Sequence, residues 1–428
     1  MSNEVLFSTR EFIIVSMDLM KKAPTIKIGE REVVATHPSY IIFEVASTHE
    51  GDFKVAKELV YAAKRVGADA VKFQLFEADK VLNPIAKFLK PVHKYFVKTQ
   101  TPRNWYPKLM KLCDKIGIDF LCTPFDLEAA SFLNQVGIKA VKIASGELTN
   151  TPLLSHVAAF GKPVILSTGM ATMEEIEHAV GILRKNGCNQ IALLQSASVY
   201  PMPYEDANIA AMTTLRNQFK TAVGYSDNGS AGILVPLVAV AMGASIIEKH
   251  VTHQKGRGHL DDTFALTIDE FREMVKRIRG FEQKYAGRFS DALDDLRDEF
   301  GKDVDKVIGS SIKEPAKHGI PRRDGTRMQD VDERQWARRG VYPKKNIKKG
   351  ERITLQNTYL VRPDIGVSVK NLDRVLSMKA TENLKAKMPI FIENKSVRRF
   401  RKSDIKKFYQ REELKQFRKI LEKNALLD

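Results

Sequence analysis

One unit recurs along this chain and limits what it can fold into. In VGADAVK, IGIDFLC, VGIKAVK, NGCNQIA and MGASIIE a glycine closes a helix-forming stretch, and a short apolar run follows at once. Glycine does this because it enters the left-handed conformation that ends a helix without a Cβ clash. Eight such runs follow from residue 40: YIIFEVAS (40–47), AVKFQLF (70–76), IDFLCTPF (118–125), AVKIAS (140–145), PVILSTG (163–169), IALLQSAS (191–198), TAVGYSDN (221–228) and SIIEKHVT (245–252). Strands this continuously apolar must be covered on both faces, which helices do for a parallel sheet. Eight of them in roughly 250 residues is the size of a (β/α)8 TIM barrel. An open doubly wound sheet is the other solution, but no GxGxxG follows the first strand to support it.

The rest of the 428 residues is arranged around that barrel. Residues 1–34 form an N-terminal extension, 35–285 the barrel, and 286–335 a linker, read as a helical tail and an exposed stretch without a sustained apolar period. Short β-like pieces return over 336–392 (RGVYPK, ERITLQNTYLV, MPIFI) as a small β-rich domain, and 393–428 is a basic helical tail with Ser403 as its N-cap. With 43% hydrophobic residues the chain can bury a core, which excludes global disorder. The net charge of +17 does not mark the whole chain as nucleic-acid binding: residues 341–428 hold 23 Lys and Arg against 10 Asp and Glu, leaving the body close to balance. The three cysteines have no CxxC spacing, which excludes a disulfide scaffold and suits the cytoplasm. The longest apolar run, 231–247, is broken by Gly232, Pro236 and Gly243 and falls short of the roughly 18 residues of a membrane span. A cytoplasmic protein without a signal peptide or a membrane partner is expected.

In a TIM barrel the chemistry sits at the C-terminal strand ends. Gathered there are Glu44, Lys72, Gln74, Thr123, Lys142, Ser145 and Glu147, and further along Ser167, Ser198, Tyr200, Ser226, Asn228, Glu248 and His250. Side chains alternate along a strand, so Lys72 shares a face with Gln74, and Glu248 with His250. If Val71, Phe73 and Ile247 face the helices, these four point into the barrel. A buried ammonium needs an anion. Internal pairs, Lys72 with Glu44 and Lys142 with Glu147, are the bland solution. The hydroxyls at 123, 145, 167, 198 and 226 instead favour a small substrate carrying both phosphate and carboxylate. His250, eleven residues before Asp261, fits a structural role, an electrophile or a single-metal site.

FEVASTHEGD, AVKFQ, TPF, VKIASGELTN, GKPVILSTGM, YPMPYEDANI, GYSDN and EKHVT, in this order, resemble the sialic acid synthase family. ARRGVYPKKNIKKGERIT and VRPDIG resemble its antifreeze-like (SAF) domain, so the likeness spans about residues 38–392. The resemblance implies a transferase that condenses phosphoenolpyruvate with an N-acetylated hexose, such as N-acetylmannosamine, into a nine-carbon ulosonic acid. It implies that Lys72, Thr123, Lys142, Ser145, Ser167 and Ser226 bind phosphoenolpyruvate and that Glu44 lies near the reacting carbons. Gln74, Tyr200 and Asp261, with Glu147 and Ser198, would face the sugar. Arg362 would be inserted over it by the partner subunit of a domain-swapped homodimer. His250 would be one of two histidines on a divalent cation, Mn2+ or Mg2+.

The chain departs from the family where the second metal histidine stands, which here is Asn228. Ser198 and Thr48 each stand where the family has asparagine, and Asp364 replaces a glycine. A carboxamide is a weak, neutral ligand, so the cation is expected to be loosely held or dispensable. Because the changes cluster at the sugar and metal end, a synthase for a legionaminic or pseudaminic acid, using a diacetamido-trideoxyhexose, is the second reading. A non-catalytic protein with a basic tail on nucleic acid or an anionic surface is the third, and the intact Glu44, Lys72 and Lys142 set argues against it.

Overall fold

The computed structural model describes residues 25–84, 89–198, 202–227, 232–256, 261, 264–285, 289–309, 336–401 and 403–404. Tyr200, Asn228 and the tail from 405 onward lie outside the described residues. The chain first forms a hairpin, β1 (Ile26–Ile28) and β2 (Arg31–Val33), inside the stretch read as an extension. All eight apolar runs then become strands: β3 (Tyr40–Glu44), β4 (Ala70–Leu75), β5 (Asp119–Pro124), β6 (Val141–Ile143), β7 (Val164–Ser167), β8 (Ile191–Gln195), β9 (Ala222–Asp227) and β10 (Ile246–Thr252). They pair in parallel and in chain order, and β10 pairs with both β9 and β3, which closes the barrel. A short β11 (Leu266–Thr267) extends β10.

The punctuation read from the sequence acts as expected. Gly117 and Gly137, with φ of 70° and 93°, end the helices Trp105–Ile116 and Leu127–Val136. Thr172 opens Met173–Lys185 with a capping box to Glu175. The alternation divides each strand cleanly. Ile41, Phe43, Val71, Phe73, Val141 and Ile247 pack outward against the helices. Ile42, Ala70, Leu121, Ile165, Leu194 and Ile246 fill the interior, and the hairpin adds Ile26, Ile28 and Val33 to that same cluster. The hairpin therefore plugs the N-terminal end of the barrel.

Residues 289–308, read as part of the linker, form the helices Phe289–Phe300 and Asp303–Ile308. Leu293, Leu296, Val304 and Val307 are fully buried, an apolar stripe hidden among dense charges. The C-terminal domain is β-rich as expected, with β12 (Gly340–Pro343) antiparallel to β13 (Thr358–Val361) and β14 (Ile390–Glu393) antiparallel to β15 (Ser396–Arg399). Its own core includes Val341, Ile353, Val375, Leu384 and Val397. A second cluster joins it to the mouth of the barrel, where Ile365, Phe391 and Phe400 meet Phe76, Leu82 and Phe125. Among the described residues no helix is long and apolar enough to cross a membrane.

Because the hairpin completes the interior core, Ile28→Ala should cost about 2–5 kcal/mol, the usual range for emptying a buried isoleucine site. A lowered urea midpoint with an unchanged slope checks this.

Candidate active site

Above the apolar interior layers the barrel turns polar. Lys72, from β4, places Nζ 2.7 Å from Glu44 Oε2 and 3.6 Å from Glu248 Oε1. It also donates to Thr123 Oγ1 at 3.3 Å. Lys142, from β6, donates to Ser167 Oγ at 2.7 Å and lies 3.7 Å from Glu248 Oε1. Ser226 Oγ donates to that same glutamate oxygen at 3.0 Å, and Gln74 Nε2 donates to Glu44 Oε1 at 2.7 Å. These side chains line one cavity of about 630 Å³, within the range of small-molecule sites. Ser145, Ser198, Asp261, His250 and Arg362 line it too.

The Lys72–Glu44 pair forms as the bland reading expected. The Lys142–Glu147 pair does not: Lys142 turns inward to Glu248. Glu147 lies in the turn Ser145–Glu147 after β6 and faces the C-terminal domain. Glu248 is the residue the sequence reading undervalued, although its two-residue spacing from His250 already placed both on the inner face.

Burial works against both lysines, yet they end on opposite sides of the ordinary value. For Lys72, Glu248 and Glu44 outweigh desolvation and raise the pKa. For Lys142, desolvation wins and, with the neighbouring Lys72 ammonium, lowers it to about 8, since Glu248 and Glu44 offset burial only in part and Glu248 is shared with Lys72. Burial alone would raise Glu248, but Lys142 and Lys72 hold it below the usual carboxylate range. The two lysines and two carboxylates balance in charge, so an arriving dianion finds ammonium groups already held in place and must compete with the carboxylates for them.

The C-terminal domain lies across part of the mouth. Glu147, fully buried, accepts from Arg339 Nε at 2.6 Å, from Asn150 Nδ2 at 2.9 Å and from Arg362 Nη2 at 3.3 Å. The two arginines hold its carboxyl low despite burial. Arg339 also donates to the carbonyls of Lys80, Phe125 and Leu360, which ties both domains to one guanidinium. Arg362 lies 5.6 Å from the ring centres of both Phe125 and Trp336. Gly146 permits this approach, because a Cβ there would sit 2.7 Å from Arg362 Nη2. Two non-glycine residues with positive φ, Ala46 at 45° and Met170 at 62°, also line the cavity, and strained backbone of this kind gathers at functional sites.

Other histidines stand apart. His49 is buried against Phe73 and Trp105, and burial lowers its pKa to about 4. His253 lies 3.9 Å from Glu58, away from the cavity. Thr48 donates to the carbonyls of Val45 and Val251 and ties the loop after β3 to β10 without lining the cavity.

A cation has a narrower set of donors. His250 Nδ1 is buried without a hydrogen-bond partner and lies 4.0 Å from Asp261 Oδ1. Asp261 is held from behind by Ser47, whose hydroxyl donates to it at 2.8 Å. Among the described residues no group of three or more His, Cys, Asp or Glu converges on one point. One imidazole nitrogen and one carboxylate fit a loosely held divalent ion whose remaining ligands come from substrate and water.

Lys142 gives the site a pH limit. It is charged below about pH 8 and neutral above, so affinity for a small dianion in this cavity should be highest just below that pH and fall as pH rises through about 8. The loss approaches tenfold per unit, as one proton requires. Calorimetric titration across this range checks it, and Lys142→Arg, which stays charged, should flatten the profile.

With this geometry in hand, comparison with known proteins is informative. The NeuB family model matches residues 59–289 and the SAF domain model residues 338–392. The chain is 39% identical to an uncharacterized protein of Methanocaldococcus jannaschii, covering 83% of this chain and 94% of that one. It is 33% identical to the N,N'-diacetyllegionaminic acid synthase of Legionella pneumophila, covering 81% and 92%. The crystal structure of the spore coat polysaccharide biosynthesis protein SpsE of Bacillus subtilis superposes with a TM-score of 0.70 at 29% identity, covering 86% of this chain and 98% of that one. A closed barrel carrying this polar layer, capped by a SAF domain and matched over more than half its length, belongs to the NeuB family.

Proposed function

We propose that this protein joins phosphoenolpyruvate to an N-acetylated aldose, N-acetylmannosamine or a close relative, and releases phosphate and a nine-carbon ulosonic acid. The observation that most supports this is the balanced layer of Lys72, Lys142, Glu44 and Glu248 on the floor of a cavity with room above it for a sugar. Lys72 and Lys142, with Thr123, Ser145, Ser167 and Ser226, bind the donor's phosphate and carboxylate and stabilise charge on the departing phosphate. Carbon 3 of the donor bonds to carbon 1 of the open-chain aldose, whose aldehyde oxygen takes a proton. Water adds at carbon 2, giving a proton toward Glu44, and the carbon–oxygen bond to phosphate breaks. His250 and Asp261 would hold a divalent cation, Mn2+ or Mg2+, which when bound supplies Lewis-acid polarisation of the acceptor carbonyl. Arg362 covers the acceptor and keeps bulk water out.

A diacetamido-trideoxyhexose acceptor is the second reading, favoured by the near-complete coverage of the legionaminic acid synthase. We place the enzyme in the cytoplasm, where its three buried free cysteines stay reduced. We further propose a homodimer in which each barrel receives the SAF domain of its neighbour, an exchange that preserves every contact of Arg339 and Arg362.

Phosphate release, followed with phosphoenolpyruvate and a panel of N-acetylated and diacetamido hexoses, tests the reaction. Lys72→Met should reduce it about 10²–10³-fold, and EDTA should remove only part of it, with weak Mn2+ binding by calorimetry. Absence of phosphate release from every acceptor, with and without Mn2+, overturns the reading. Domain exchange has its own check: mixing inactive Lys72→Met with inactive Arg362→Met protein should restore activity, because one barrel then receives an intact partner of each kind.

A further inference from the structure

One side of the cavity carries a chain of three polar side chains drawn from separate parts of the fold. Tyr95 comes from the helix Lys90–Thr99, Ser47 from the loop after β3 and Asp261 from the loop after β10, and all of them line the cavity. Ser47 donates its hydroxyl proton to Asp261 Oδ2 at 2.8 Å. A serine has a single such proton, so in its 2.7 Å contact with the Tyr95 hydroxyl Ser47 can only accept, and Tyr95 must donate. The chain therefore runs one way, from Tyr95 through Ser47 to the carboxylate. The other carboxylate oxygen, Asp261 Oδ1, is the one turned toward His250 Nδ1.

The fold holds each link from behind. Ala46, just before Ser47, keeps a φ of 45°, which an alanine adopts only at a cost. Gly51 lets the same loop close on the helix, because a Cβ there would stand 2.5 Å from the carbonyl oxygen of Lys98. On the helix, Val92 and Phe96 pack into the apolar cluster with Phe76, Leu89 and Phe125, and Thr99 Oγ1 donates to the Tyr95 carbonyl at 2.9 Å. Asp261 is tied through its own carbonyl, which accepts from Ala265 N at 2.8 Å. With its backbone held, only the side-chain torsions of Asp261 are left to settle, and the proton from Ser47 settles them. We propose that Tyr95 and Ser47 are positioning residues, which orient Asp261 so that Oδ1 stands ready beside His250 before the acceptor arrives. A carboxylate ordered in advance spares the ligand that ordering cost. This rests on the reaction proposed above, in which Asp261 serves the acceptor through the cation, and adds to it the residues that act through Asp261.

The test is a double-mutant cycle, read by phosphate release with the acceptor that supports it. Ser47→Ala should lower kcat/KM for the acceptor by about 10–100-fold, the range for a group that orients a ligand from behind, and leave the KM for phosphoenolpyruvate unchanged. Tyr95→Phe keeps the ring in place and should lower it less, because Ser47 still donates to Asp261. The double variant should be no worse than Ser47→Ala alone, as a relay through one serine requires. Ser47→Thr keeps the hydroxyl and should retain most of the activity, which separates loss of the relay from loss of the fold. Losses that multiply in the double variant, an equal rise in the donor KM, or an unchanged acceptor kcat/KM overturn the inference and leave the reaction standing. No phosphate from any acceptor overturns the reaction and the inference with it.

Discussion

Two lysines and two glutamates inside a barrel can be kept there only together. Lys72, Lys142, Glu44 and Glu248 are each almost fully buried, and removing one partner from such a set leaves an uncompensated charge at a cost of about 3–5 kcal/mol. The four come from β3, β4, β6 and β10, so their balance demands that four strands hold the correct register at once. A slip of one residue would turn a lysine into the apolar layer beneath the helices. The ion pairs thus add little net stability but penalise every alternative register. The same arrangement leaves two ammonium groups aimed at one point, which a doubly charged substrate can use.

The junction with the C-terminal domain follows a similar logic on a smaller scale. Glu147 is buried between two arginines, and Arg339 spends its remaining donors on three backbone carbonyls from both domains. Such a junction has one low-energy geometry. It places Arg362 between Phe125 and Trp336, at the cavity edge where the apolar cluster begins.

Much of this was legible in the sequence because the barrel repeats itself. The eight strands announce themselves as apolar runs, five of them after helix-ending glycines, and the alternation of Lys72 with Phe73 or Glu248 with Ile247 already separates inside from outside. What the sequence did not disclose depends on contacts across the chain. Glu147 follows a strand as a ligand would, but the turn after β6 carries it toward Arg339, almost two hundred residues away. The hairpin strands IKI and REV are too short to show a period, and their burial comes from plugging the barrel rather than from their own pattern. In DALDDLRDEF the charges outnumber the apolar residues, so Leu293 and Leu296 gave no signal until a helix placed them on one side. Thr48, a departure from the family pattern, ties the loop after β3 to β10.

The plug formed by Ile26, Ile28 and Val33 shuts the floor of the barrel, so among the described residues the cavity is a well reached from its mouth. In such a well position dictates sequence in time. For the proposed reaction the donor belongs at the floor with Lys72 and Lys142, and the sugar lies above it. The donor must therefore enter first, and an early sugar would block its way. After the bond forms, the freed phosphate is left at the floor beneath a nine-carbon product that fills the shaft. The product has to leave before phosphate can, so the enzyme queues its ligands by depth, the last to depart being the one that arrived first.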